Sequence, residues 1–156
     1  MRHIDKIIWH CAATKEGQDV KTGTIRQWHF DRGWSDIGYH FVIELDGSRH
    51  AGRPLSRIGA HVKGLNKPSI GICYVGGVDK NGNPKDTRTA AQKKELYALT
   101  EELLARFPGT TVHGHNQFAA KACPSFDAQA DWKAYVLSKP IMASASDGDD
   151  EELEAA

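Results

Sequence analysis

Apolar positions follow two rhythms along the chain. Short, nearly continuous apolar runs of strand length occupy residues 4–9, 39–45 and 69–75, as expected of strands buried in a sheet. The first run delivers His10 and Cys11 at its C-terminal end, and Gly76-Gly77 closes the third. Asp46-Gly47 after the second is a hairpin signal and predicts a partner strand over residues 49–52. A further short strand is expected over 111–113, before Gly114.

The other rhythm is helical. Leu96, Leu99, Leu103 and Leu104 share one face of residues 90–106, with Thr89 placed to cap the helix and Pro108-Gly109 to stop it. Thr24 followed by Gln27 resembles a capping box and predicts a short helix over 25–32, ending near Gly33. Asp127 is placed to cap a last helix over 128–137. Residues 53–68, punctuated by Pro54, Gly59, Gly64 and Pro68, read as irregular; 79–88 read as turn-rich and 115–126 as loop. Strands mixed with helices predict a single α/β domain, a central sheet flanked by helices.

From Ser138 onward, Ser, Ala, Gly and acidic residues dominate. Such a segment cannot bury enough surface to offset its ordering entropy. The expected organisation is a domain over 1–137 and a disordered acidic tail over 138–156. That boundary changes the meaning of the net charge, which is zero, from 20 Lys+Arg against 20 Asp+Glu. Residues 138–156 hold one base and six acids, a sum of −5, while 1–137 hold 19 bases and 14 acids, a sum of +5. A balanced chain argues against a strongly basic nucleic-acid binder, and a mildly basic body suits an anionic partner.

Three cysteines are poor material for a disulfide framework and fit a reducing compartment. Charges at Arg2, Asp5 and Lys6 leave no apolar core for a signal peptide, and no run approaches the roughly 20 apolar residues of a spanning helix. The expectation is a soluble cytoplasmic protein with no membrane insertion, which something else must let out if its target lies outside.

Eight histidines in 156 residues justify a search for a metal site. His115 and Cys123 stand eight positions apart in one loop, and His10 ends a strand. Two imidazoles and a thiolate would give zinc three protein ligands and an open fourth position, the catalytic arrangement. On spacing alone Cys11 and Cys73 compete with Cys123. Cys73 sits in an apolar strand, where a thiol behaves as a small hydrophobe, and Cys11 points away from His10 if the strand continues. Lys121 and Tyr39 could donate to an oxyanion beside such a metal, although a loop lysine is ordinarily a solvated charge and a tyrosine at a strand start ordinarily packs.

These residues belong to a longer series. It runs through His10-Cys11-Ala12-Ala13-Thr14-Lys15, Arg26-Gln27-Trp28-His29, Gly33-Trp34, Gly38-Tyr39-His40-Phe41 and Ala51-Gly52-Arg53. It continues with His61-Val62-Lys63-Gly64, Ser69-Ile70-Gly71 to Gly76-Gly77, and Lys121-Ala122-Cys123-Pro124-Ser125-Phe126-Asp127. In this order the series resembles the zinc-dependent N-acetylmuramoyl-L-alanine amidases of the type-2 class, and within it the small members from T-odd coliphages.

The resemblance implies the fold shared by amidases and peptidoglycan recognition proteins, and cleavage of the amide between the lactyl group of N-acetylmuramic acid and L-alanine in peptidoglycan. It implies zinc on His10, His115 and Cys123, with Tyr39 and Lys121 as the catalytic or oxyanion-stabilising pair and His61 as a substrate-cleft residue. It further implies a phage or prophage endolysin, held in the cytoplasm of the infected bacterium until a holin permeabilises the membrane. The alternative on the same fold is a peptidoglycan-binding protein that does not cut; Cys123, Tyr39 and Lys121 separate the two. T-odd members also bind and inhibit the phage RNA polymerase through an N-terminal arm longer than the nine residues that precede His10 here. Asn116 stands where those members have a second histidine, which leaves His115 as the ligand of the pair.

Overall fold

The computed structural model describes residues 1–140. From residue 141 the expected acidic tail lies outside the described residues; Ser138 ends the last helix and Lys139 pairs with Glu101. In chain order the elements are β1 (Lys6–Cys11), β2 (Thr14–Lys15), α1 (Thr22–Asp31), β3 (Phe41–Ile43), β4 (Arg49–Ala51), β5 (Ser69–Tyr74), β6 (Gly77–Val78), α2 (Ala90–Arg106), β7 (Thr111–Gly114) and α3 (Ala128–Ser138). Five strands form one mixed sheet in the order β4-β3-β5-β1-β7. β1 runs parallel to β5 on one side and β7 on the other, β3 joins β5 in parallel, and β4 closes that edge antiparallel. This is the expected α/β domain with a central sheet flanked by helices. No helix among the described residues is long and apolar enough to cross a membrane.

Side-chain alternation along β1 separates core from site. Ile7, Trp9 and Cys11 pack with Ile70, Ile72 and Tyr74 of β5 and with Leu96, Leu99 and Leu103 of α2. The strand's period of two turns His10 to the opposite face. Trp9 fastens β1 to two helices: its indole N–H donates to Thr100 Oγ1 at 3.2 Å, and its ring meets Trp132 of α3 edge-on at 6.1 Å. Burial of a large apolar side chain of this kind stabilises by about 1.5–3 kcal/mol.

The helices with local caps form where the pattern puts them. Thr89 Oγ1 accepts from the Gln92 N–H and Gln92 Oε1 from the Thr89 N–H, both at 3.0 Å. Asp127 Oδ1 accepts from the Ala130 N–H at 3.1 Å. Helix α1 departs from expectation. It starts at Thr22, and its N-cap Lys21 makes no side-chain cap. Glu44 replaces the Thr24–Gln27 box, its Oε2 accepting from the Thr22 N–H at 2.8 Å and the Thr22 hydroxyl at 2.7 Å. A carboxylate brought by the tertiary fold thus meets the free amide and the positive end of the helix dipole.

The strand ends also differ. β1 begins and ends two residues later than residues 4–9, because pairing with β5 runs from Lys6↔Ser69 to Cys11↔Tyr74. β3 is confined to Phe41–Ile43. Tyr39 and His40 leave the regular ladder yet keep backbone bonds, accepting from the Arg53 N–H at 3.0 Å and the Gly52 N–H at 2.8 Å. The pattern does not predict β2 and β6, which form a separate two-stranded parallel sheet. Gly77, at φ +107°, lets β6 pass β1 where a Cβ would collide with Cys11 Sγ.

Candidate metal centre and catalytic cleft

Because β1 and β7 are parallel, their C-terminal ends reach the same edge of the sheet. Trp9 pairs with Gly114, so His10 and His115 each stand one residue beyond that pair. His115 opens a single 3-10 turn, His115–Gln117, and Cys123 arrives from the loop that follows. Its Sγ accepts from the Cys11 N–H at 3.2 Å and lies 3.7 Å from His10 Nδ1. The two imidazole centroids are 4.7 Å apart. One ligand atom each from His10, His115 and Cys123 lies within 4.8 Å of the others. Among the described residues, this group joins Cys123, and neither Cys11 nor Cys73, to the imidazoles. Cys11 turns toward Ser125, and Cys73 is buried inside β5.

The donor set fits zinc. Ordinary tetrahedral Zn–N and Zn–S bonds separate a nitrogen from a sulfur by about 3.6 Å, against 3.7 Å between His10 Nδ1 and Cys123 Sγ. Burial, with the neighbouring imidazoles and Lys121, holds His10 well below its ordinary range, and burial lowers His115 as well. Neutral imidazole is the form that ligates a metal. Hydrogen bonding with Cys11, then burial, pushes the Cys123 thiol up. A bound cation reverses that preference, because a coordinating thiol is deprotonated outright.

A cleft of about 680 Å³ opens over this group. Tyr39, two residues before β3, sets its ring centroid 5.1 Å from that of His10. Burial raises the Tyr39 phenol well above its usual value, so it stays an O–H donor. Lys121 lies exposed on the cleft wall, where Arg32 and Lys63 add two further cations. No carboxylate lines the cleft among the described residues.

His61 also borders the cleft but is only 9% exposed. Its Nδ1 lies 2.8 Å from His10 Nε2 and its Nε2 lies 3.2 Å from Ser69 Oγ, so both ring nitrogens are engaged inside the protein. Two further participants stand within the family-like series without a site role assigned to them there. Ser69 reads as an ordinary strand residue. His29 falls on the buried face of α1, four positions from Ile25, and its Nδ1 accepts from the Gly38 N–H at 2.8 Å, steadying the segment that presents Tyr39.

The family profile for N-acetylmuramoyl-L-alanine amidase matches residues 1–126. The chain is 47% identical to the endolysin of Klebsiella phage KP32 over 132 residues, covering 85% of this chain and 87% of that one. It is 46% identical to the endolysin of Escherichia phage T7 over 129 residues, covering 83% and 85%. Among solved structures, the amidase LysC of Clostridium intestinale superposes with a TM-score of 0.75 at 27% identity, covering 88% of each chain. The bumblebee peptidoglycan recognition protein PGRP-SA superposes with a TM-score of 0.71 at 29% identity, covering 85% of this chain and 82% of that one.

Proposed function

The chain belongs to the N-acetylmuramoyl-L-alanine amidase family, and from that premise we propose that His10, His115 and Cys123 hold a catalytic zinc, with Tyr39 and Lys121 as the residues that act beside it. The protein is a phage endolysin whose substrate is peptidoglycan. The observation that carries the zinc reading is the convergence of three donor atoms within 4.8 Å on the wall of a cleft that also holds Tyr39 and Lys121.

The three cleft cations favour approach of an anionic wall polymer. When bound, zinc would supply a Lewis acid for the muramoyl amide carbonyl and a water acidified to a pKa of about 7. Attack on that carbonyl turns its oxygen into an oxyanion. The Tyr39 hydroxyl and the Lys121 ammonium, both on the cleft wall, are the donors we assign to it. The same pair supplies the proton that the departing L-alanine amine requires. A protein that bound peptidoglycan without cutting it would need none of Cys123, Tyr39 and Lys121. We assign its release to the wall to a separate holin, as the resemblance implies.

Cys123→Ser tests the metal assignment. The variant should keep its circular dichroism spectrum, lose bound zinc and lose lysis; a zinc-free variant that clears peptidoglycan at full rate would overturn the reading. For the second role that the resemblance implies, inhibition of a phage RNA polymerase, transcription by the matched phage enzyme is the readout. A reduced yield at saturating protein supports the interaction, and an unchanged yield removes it.

A further inference from the structure

We propose that His61 is a positioning residue that locks His10 in its Nε2–H tautomer, leaving Nδ1 bare toward Cys123 and the metal. The inference rests on the zinc reading above and gives His61 a task on the ligand rather than on the substrate.

Ser69 Oγ lies 2.6 Å from the Leu65 carbonyl oxygen, which can only accept, so the single hydroxyl proton goes there. Toward His61 Nε2, at 3.2 Å, Ser69 Oγ can then only accept, which puts the His61 proton on Nε2. A neutral imidazole carries one N–H, so His61 Nδ1 is an acceptor. Its neighbour at 2.8 Å is His10 Nε2, which must donate. By the same rule His10 Nδ1 holds the lone pair, and it is this atom that lies 3.7 Å from Cys123 Sγ. An ungoverned His10 would divide its population between two tautomers, one of them unable to ligate through Nδ1.

The packing around His61 forms a close-fitting slot for its ring. Gly71 sits inside the fully buried strand β5, a position where glycine weakens a strand. A Cβ there would lie 2.6 Å from His61 Cγ. A Cβ on Gly59 would lie 2.8 Å from His61 Cδ2. Two missing side chains therefore make the slot for the ring. Asn66 Oδ1 accepts from the backbone N–H groups of His61 and Val62, both at 2.9 Å, and holds the segment at the base of the slot. Ligating histidines commonly give their second N–H to a carboxylate, carbonyl or water, and loss of that partner weakens metal binding about 10–100-fold. Here the partner is a neutral imidazole, which orients His10 without adding charge to the site.

The test is zinc affinity of the metal-free protein, measured by competition with a chromophoric chelator. His61→Leu should bind zinc about 10–100-fold more weakly than the parent. His61→Asn offers Oδ1 near the place of Nδ1 and should stay within a few-fold of the parent. Cobalt substitution gives a second readout: in His61→Leu the thiolate-to-cobalt charge-transfer band should persist while the ligand-field bands shift. Equal affinity in the parent and both variants would overturn the proposal. Should His61→Leu not fold, Ser69→Ala takes its place: by freeing the His61 tautomer it should weaken zinc several-fold, and unchanged affinity would overturn the proposal equally. A parent protein that binds no zinc would instead bring down the zinc reading itself.

Discussion

Tyr39 and Lys121 are held in different ways. Tyr39 is wedged against His10, with burial keeping its phenol protonated, whereas Lys121 stands exposed on the cleft wall. Tyr39→Phe and Lys121→Ala should each retain zinc and lose about 10²–10³-fold in kcat, the usual cost of removing one oxyanion donor. Turnover of purified peptidoglycan, with zinc content measured alongside, checks this; full turnover in both variants would take the pair out of the mechanism. At this scale the sequence is informative about residue type and poor about partners. His61 is recognisable from its motif as a resident of the cleft, but Ser69 and His10, which use its nitrogens, stand 8 and 51 positions away. Cys123 separates from Cys11 because strand alternation turns Cys11 into the core, and from Cys73 because the apolar run that becomes β5 buries that thiol.

The loop bearing Cys123 takes its place from the elements that flank it. Arg88, with a side chain 1% exposed, pairs with Asp86 before α2 and Asp131 on α3, and its guanidinium lies 3.7 Å over the Phe126 ring. Tyr97 of α2 adds a hydrogen bond to Asp131 at 2.7 Å. The hub thereby ties two helices to the segment three residues beyond Cys123. Arg88→Leu should destabilise the fold by about 3 kcal/mol, because two carboxylates are left beside an apolar interior without their cation. Urea unfolding reads this as a lower midpoint, and an unchanged midpoint would contradict it. Elements governed by local signals, such as α2 with its capping box and leucine stripe, are legible from the sequence. Helix α1 is legible only in part, since its cap is supplied by Glu44 from 22 positions away. β2 and β6 are two residues each, too short to carry a period.

Across the whole molecule, burial and parallel pairing act together. Six imidazoles, those of His10, His29, His40, His61, His113 and His115, are held below their ordinary value of 6.5 chiefly by burial, His29 and His40 down to about 4. The unfolded chain takes up these protons near pH 6.5, while the folded chain resists until lower pH. The unfolded state therefore binds more protons in that window, and stability falls as pH drops from about 6.5 toward 4. The urea midpoint of zinc-free protein should be lower at pH 5 than at pH 7.5; equal midpoints would contradict the buried-neutral assignment. The sheet's strand order is what converts scattered positions into a site. Residues 10, 115 and 123 come together because β1 and β7 are adjacent and parallel, a fact of topology that hydrophobic rhythm does not encode and that family resemblance alone makes legible beforehand.

We propose that this cleft cuts the muramoyl amide with a zinc held by His10, His115 and Cys123. Product analysis of purified peptidoglycan, digested by chelator-stripped protein with and without added zinc, tests it most directly. The expected result is new N-terminal alanine and no new reducing sugar ends, with release only when zinc is restored. New reducing ends, or undiminished alanine release by the stripped protein, would contradict it.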